Sequence, residues 1–162
     1  MSNVIMMCGV CGAGKTTYSK AKEKEGYIRL SIDEEMWRTY GRKGIDYPDD
    51  QYEALSEKVE SALREKLLKL IDEGKNVVID FSFWNKETRS FYRQIIEKSG
   101  GTVELVYLKA GLETLRKRLQ KRNLHLHANS PFVITDEILK HHYDGFQEPC
   151  GEGEIVILQS EE

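Results

Sequence analysis

The chain has 162 residues, 31% of them charged and 40% apolar, which suits one domain, residues 1–162, around a single core and shows no low-complexity tract or repeat. Acidic side chains outnumber basic ones by 27 to 24, a balance that speaks against a long polyanionic partner. The only apolar run near the start, 4–8, is too short for a signal-peptide core or a membrane span, so a cytoplasmic chain with no membrane contact and no obligate protein partner is expected.

In chain order, short β-type runs alternate with amphipathic helical ones, the pattern of an α/β fold whose parallel sheet is covered on both faces. The first strand, 4–8, runs into Gly9-Val10-Cys11-Gly12-Ala13-Gly14-Lys15-Thr16, which matches G-x-x-x-x-G-K-[ST] at every fixed position, and Thr17 continues into a helix over 15–25. Strand before and helix after are the context this phosphate-binding loop requires. Its glycines let successive N–H groups turn toward phosphate oxygens, and the helix adds the positive end of its dipole. Lys15 is placed to reach the β- and γ-phosphates of ATP, and the Thr16 hydroxyl to ligate Mg²⁺. Cys8 and Cys11 form a CxxC by spacing, but they lie within this strand and loop, so a redox or metal role is not expected of them or of Cys150.

A second strand, 27–32, is followed at once by Asp33, a carboxylate at the end of the sheet where ligands gather. It can orient an acceptor hydroxyl and take its proton, or cap the helix that begins at Glu34. The segment 41–49 lacks a period and reads as a loop beside the site, with Met36, Trp37, Tyr40 and Tyr47 as core or as pocket wall. Helix 50–73 follows, with Leu55, Val59, Leu63, Leu67 and Leu70 at helical spacing and Gly74 as its stop. The third strand, 76–80, ends in Asp80 after Val77, Val78 and Ile79, the shape of a Walker B element, whose carboxylate can hold Mg²⁺ through water, touch the acceptor or pair with a helix N-terminus. Phe83 and Trp84 come next, as further candidates for the acceptor cleft.

Asn85-Lys86-Glu87-Thr88 departs from the guanine-reading N-K-x-D pattern and reads as the start of helix 86–99, which favours ATP over GTP. Strand 103–108 leads to helix 112–122, where Arg122 and Arg118 fall beside the apolar stripe of Leu112, Leu115 and Leu119. The segment 123–134 carries His125 and His127 without the third ligand that a zinc site needs. Helix 135–146 and strand 154–158 close the chain.

The strings GVCGAGKTT, RLSIDEEMWRTYG, NVVIDFSFWNKETRSFYR, VYLKAGLETLRKRLQKRN, VITDEIL and FQEP resemble the small P-loop kinases that include polynucleotide 5′-hydroxyl kinases, zeta toxins and chloramphenicol phosphotransferase, and above all a bacterial subgroup described as AAA-type ATP-binding proteins. The resemblance covers nearly the whole chain. It implies a three-layer P-loop NTPase fold with a five-stranded parallel sheet in nucleoside-kinase-like order, Mg-ATP as phosphate donor, Asp33 as base, and Arg122 and Arg118 closing on the phosphates during transfer. It also implies that the segment 123–134 is a lid and that the stretch 146–149 lies beside the adenine. Polynucleotide kinases commonly carry an arginine three residues after the aspartate, where Met36 stands here. That departure favours a small-molecule acceptor with a hydroxyl group over a nucleic acid, while a nucleotide-dependent switch without an acceptor has no use for Asp33.

Overall fold

Side chains alternate across a strand, and in a fully apolar strand both faces must be covered. In a computed structural model of the chain, which describes residues 1–126, 128 and 133–159, strand β1 (Asn3–Cys8) sends Val4, Met6 and Cys8 into one core cluster and Ile5 and Met7 into another. Helix α1 (Lys15–Lys24) follows, then β2 (Ile28–Leu30), α2 (Ile32–Tyr40), α3 (Tyr52–Asp72) and β3 (Val77–Ile79). After them come α4 (Lys86–Lys98), β4 (Thr102–Lys109), α5 (Leu112–Arg122), α6 (Asp136–Gly145) and β5 (Ile155–Leu158).

The five strands are parallel and lie in the order β2-β3-β1-β4-β5. Val77 of β3 pairs with both Val4 and Ile28, which puts the C-terminal ends of β1, β2 and β3 on one rim. Met36 of α2, Val59, Leu63 and Leu67 of α3, and Tyr92 and Ile96 of α4 pack on one face. Leu115 and Leu119 of α5 and Leu139 of α6 pack on the other. The expected three-layer architecture is therefore present, and every connection that leaves the rim of β1, β2 and β3 starts at the same edge.

The second strand is shorter than the sequence suggests. It ends at Leu30 because Ser31 caps α2, its side chain accepting from the Glu34 N–H at 3.3 Å. Serine followed three residues later by glutamate is a helix-start signature, so Asp33 sits inside the first turn of α2 and is not the cap. The loop 41–49 is present as expected and is closed by Gly44 N donating to Tyr47 O at 2.8 Å. The start of α4 is also as expected, with the Asn85 side chain accepting from Thr88 N at 2.7 Å.

The segment between β3 and α4 is fastened by a buried ion pair that joins parts distant in sequence. Arg89 on α4, 2% exposed, donates through Nε and Nη2 to the two carboxylate oxygens of Glu152, at 2.9 and 3.0 Å, and through Nη1 to Phe83 O at 2.8 Å. These bonds hold the Glu152 carboxyl below its usual range. Phe83 has φ 47, a left-handed conformation rare for a bulky residue, and its ring belongs to the core rather than to an acceptor cleft. Trp84 is 45% exposed.

Removing one partner of such a pair leaves the other charge buried and uncompensated. Arg89→Met should therefore lower the free energy of unfolding in urea by roughly 3–5 kcal/mol. Arg93→Met, which removes one bond to Glu152 O, should cost about 1 kcal/mol. Equal losses in the two variants would show that the Arg89 pair has no special weight.

Candidate active site

The phosphate loop bridges β1 and α1 in a conformation that its glycines make possible. Gly12 and Gly14 have φ of 87 and 99, a region that other residues enter only with strain. A Cβ on Gly12 would also lie 3.1 Å from Leu119. With Gly14 in the left-handed region at its N-terminus, α1 begins without a side-chain cap, and a helix start of this kind presents N–H groups and positive dipole to an anion. Lys15 lies across the loop, donating from Nζ to Gly9 O at 2.9 Å and Val10 O at 3.3 Å. Burial pushes its ammonium below the usual pKa, against the attraction of Asp80. Thr17 is exposed on the same turn.

Asp80, just past β3, is where three elements meet. Its Oδ2 accepts from the Thr16 hydroxyl at 3.2 Å and lies 3.1 Å from Ser19 Oγ, both on α1. It also accepts from Arg29 of β2, through Nε at 3.1 Å and Nη2 at 2.5 Å. Both members of that ion pair are 4% exposed. Arg29 Nε also donates to Ser19 Oγ at 3.0 Å, and its Nη1 pairs with Glu34 in the first turn of α2. Thr16 and Asp80 offer oxygen donors alone beside a phosphate loop, which is the donor chemistry that Mg²⁺ takes. Residues 9–16, with Thr17 beyond them, are the ones that can cradle a nucleotide triphosphate.

Asp33 faces this cluster from α2. Burial raises its carboxyl above the usual range, Asp80 raises it further, and Lys15, Arg122 and Arg29 pull it back down. Tyr47 and Tyr52 are near enough for the Asp33 charge to act on their hydroxyls. The Asp33 carboxylate accepts no hydrogen bond from the other described residues. From α5, Arg118 Nη1 lies 3.3 Å from both Ala13 O and Gln159 Oε1, while Arg122 acts on the charges of Cys11, Lys15 and Asp33. Met36 is 2% exposed in the core, and Tyr40 and Tyr47 meet edge to face at 6.4 Å. A cavity of about 120 Å³ opens behind the loop between Val10, Ala13, Leu115, Tyr143 and Phe146. Of the lid, His127 and 129–132 lie outside the described residues.

The AAA domain family matches residues 4–149. The chain belongs to that family. This AAA domain is 30% identical over 140 residues to a UPF0200 protein of Pyrobaculum aerophilum, covering 86% of the chain and 76% of the relative. Its fold matches a sugar kinase from Janibacter sp. HTCC2649 with a TM-score of 0.66 at 20% identity, over 98% of this chain and 86% of that one. It also matches a chain of the Pnkp1/Rnl/Hen1 RNA repair complex with a TM-score of 0.72 at 16% identity, over 89% of this chain and 43% of that one. At such identities these structures show a shared P-loop kinase-like fold. No helix among the described residues is long and apolar enough to cross a membrane.

Four site residues were not singled out by motif. Arg29 breaks an otherwise apolar strand and Arg89 stands at an apolar-stripe position with Tyr92 and Ile96, so each carried a signal in the sequence. Ser19 and His142 carried none. His142 lies on α6 close enough to Lys15 for its charge to count, and burial first, then Lys15, lower its pKa to about 4. The folded protein thus binds fewer protons there than the unfolded chain between about pH 4 and the ordinary histidine value of 6.5, and stability falls as pH drops through that window. A ¹H–¹⁵N titration should place the His142 midpoint near 4, and His142→Gln should flatten the acid-side loss of thermal midpoint. A midpoint near that of free histidine would contradict this geometry.

Proposed function

We propose that the chain is an ATP-dependent kinase that moves the γ-phosphate of Mg-ATP to a hydroxyl group of a small-molecule acceptor. One observation carries the reading. Asp33 lies close enough to Lys15 and Arg122 for both charges to act on it, and its carboxylate accepts no hydrogen bond from the other described residues. A switch has no need of such a group, whereas phosphoryl transfer needs one to orient the nucleophile.

In this reading Lys15 leaves the carbonyl oxygens of Gly9 and Val10 for the β- and γ-phosphates, and the N–H groups of 9–16 hold the remaining phosphate oxygens. Thr16 and Asp80 would hold Mg²⁺, which would supply positive charge against the phosphates. Asp33 takes the proton of the acceptor hydroxyl as that oxygen bonds to the γ-phosphorus. The bond from phosphorus to the β–γ bridging oxygen breaks, and its electron pair leaves with ADP. Arg118, whose Nη1 lies beside Ala13 O, and Arg122, whose charge acts on Lys15 and Asp33, would offset charge on the transferred group. Burial of Met36, in the place where polynucleotide kinases bring an arginine, supports a small acceptor.

Labelled γ-phosphate followed through metabolites, antibiotics and 5′-hydroxyl oligonucleotides tests the reading, with transfer to a small molecule as the expected result. Efficient transfer to oligonucleotides, at about 1–100 per second, would replace the acceptor class. Lys15→Ala should abolish Mg-ATP binding in a folded protein. Asp33→Asn leaves the Ser31 cap in place, so folding and ATP affinity should hold while turnover falls about a hundredfold to ten-thousandfold. Turnover within a few-fold of the unaltered chain would remove Asp33 as the base.

A further inference from the structure

Asp33 and Asp80 stand on different elements, and phosphoryl transfer requires that one be fixed relative to the other. Asp80 follows β3, and Asp33 belongs to a nine-residue helix, α2, that begins directly after β2. Short helices hold their first turn by caps and by side-chain contacts rather than by propensity. The Ser31 cap satisfies the Glu34 N–H, which starts the helix but does not tie it to the metal side of the site.

Arg29 makes that tie. Its guanidinium is buried, and its planar fork engages Asp80 on one side through Nε and Nη2 and Glu34 on the other through Nη1. Nε also reaches Ser19 Oγ, so α1 is drawn into the same contact. Arginine suits this place because one rigid group donates in several fixed directions, whereas lysine offers a compact charge to one partner at a time. Glu34 neighbours Asp33 in the first turn of α2, so fixing Glu34 restrains the backbone that carries Asp33.

We propose that Arg29 is a positioning residue for phosphoryl transfer, one that fixes the first turn of α2 to Asp80 through Glu34 and so holds Asp33 at its distance from the phosphate loop. The proposal rests on the kinase reading. Its distinctive feature is that Glu34, whose side chain is 49% exposed and touches neither phosphate loop nor Asp80 among the described residues, matters to chemistry only through Arg29. Charge compensation of Asp80 alone would require Arg29 and leave Glu34 irrelevant.

The test is a cycle of Glu34→Gln, Arg29→Lys and the double variant. Arg29→Lys keeps a cation beside Asp80 but cannot bridge to α2, and Glu34→Gln cuts the bridge at its half-exposed end, where folding is least at risk. Amide hydrogen exchange of the nucleotide-free protein over residues 35–38 should quicken about threefold in each single variant. The double variant should add nothing. With water in the acceptor's place, kcat for Mg-ATP hydrolysis should fall about tenfold in each single variant, again with no further loss in the double, while KM for Mg-ATP stays within about twofold. Silence of Glu34→Gln in either measurement, multiplication of the two effects, or a change carried by KM would overturn the proposal. Should the unaltered chain fail to bind Mg-ATP, the kinase reading and the role of Arg29 in it both fall, while coupled exchange would still report the architectural tie.

Discussion

A carboxylate withdrawn from water must be matched by donors, and the organisation of this site follows from how Asp80 is matched. Its Oδ2 gathers the Thr16 hydroxyl, Ser19 Oγ and the Arg29 guanidinium. Those donors come from α1 and β2, so one oxygen atom fixes the phosphate loop, the second strand and the end of the third strand with respect to one another. Removing any one donor would leave a buried charge short of a partner, which is far more costly than the small net gain of forming the pair. The parallel sheet makes the meeting possible, because the register of β1, β2 and β3 brings their C-terminal ends to one rim.

Charge around that rim is balanced rather than one-sided. Lys15, Arg29 and Arg122 stand against Asp33 and Asp80. Burial and Asp80 raise the Asp33 carboxyl while three cations restrain it, and burial holds the Lys15 ammonium down against the pull of Asp80. An anionic triphosphate would relieve the second imbalance and give Lys15 better partners than the carbonyls of its own loop. The Arg89–Glu152 pair keeps the β3–α4 connection, with its left-handed Phe83, next to the loop, where Gly9 N donates to Ser82 O at 3.2 Å.

Much of this was legible in the sequence because the signals were local. The phosphate loop is a fixed spacing in a fixed context, the strands are short apolar runs, and the helices α3 to α5 repeat at helical spacing. The end of β2 was misplaced because Ile32 prolongs an apolar run, although Ser31 and Glu34 carried the spacing of a helix start. Asp33 and Asp80 could be picked as carboxylates after strands, but that they share a charge network could not, since the link is Arg29. A charge inside a buried strand signals only that some partner exists; the partner is set by strand order. For the same reason Arg89 and Glu152, and the approach of His142 to Lys15, depend on how α4, α6 and the segment before β5 pack.

The central claim is that the phosphate loop, Asp80 and Asp33 form one site in which donor and acceptor meet. A structure determined with Mg²⁺ and a non-hydrolysable ATP analogue tests it most directly. The account predicts that Lys15 Nζ leaves Gly9 O and Val10 O for the β- and γ-phosphates, that the metal binds the Thr16 hydroxyl beside Asp80, and that the γ-phosphate points toward the Asp33 carboxylate. A nucleotide bound away from the loop, or one whose γ-phosphate points away from Asp33, would contradict it.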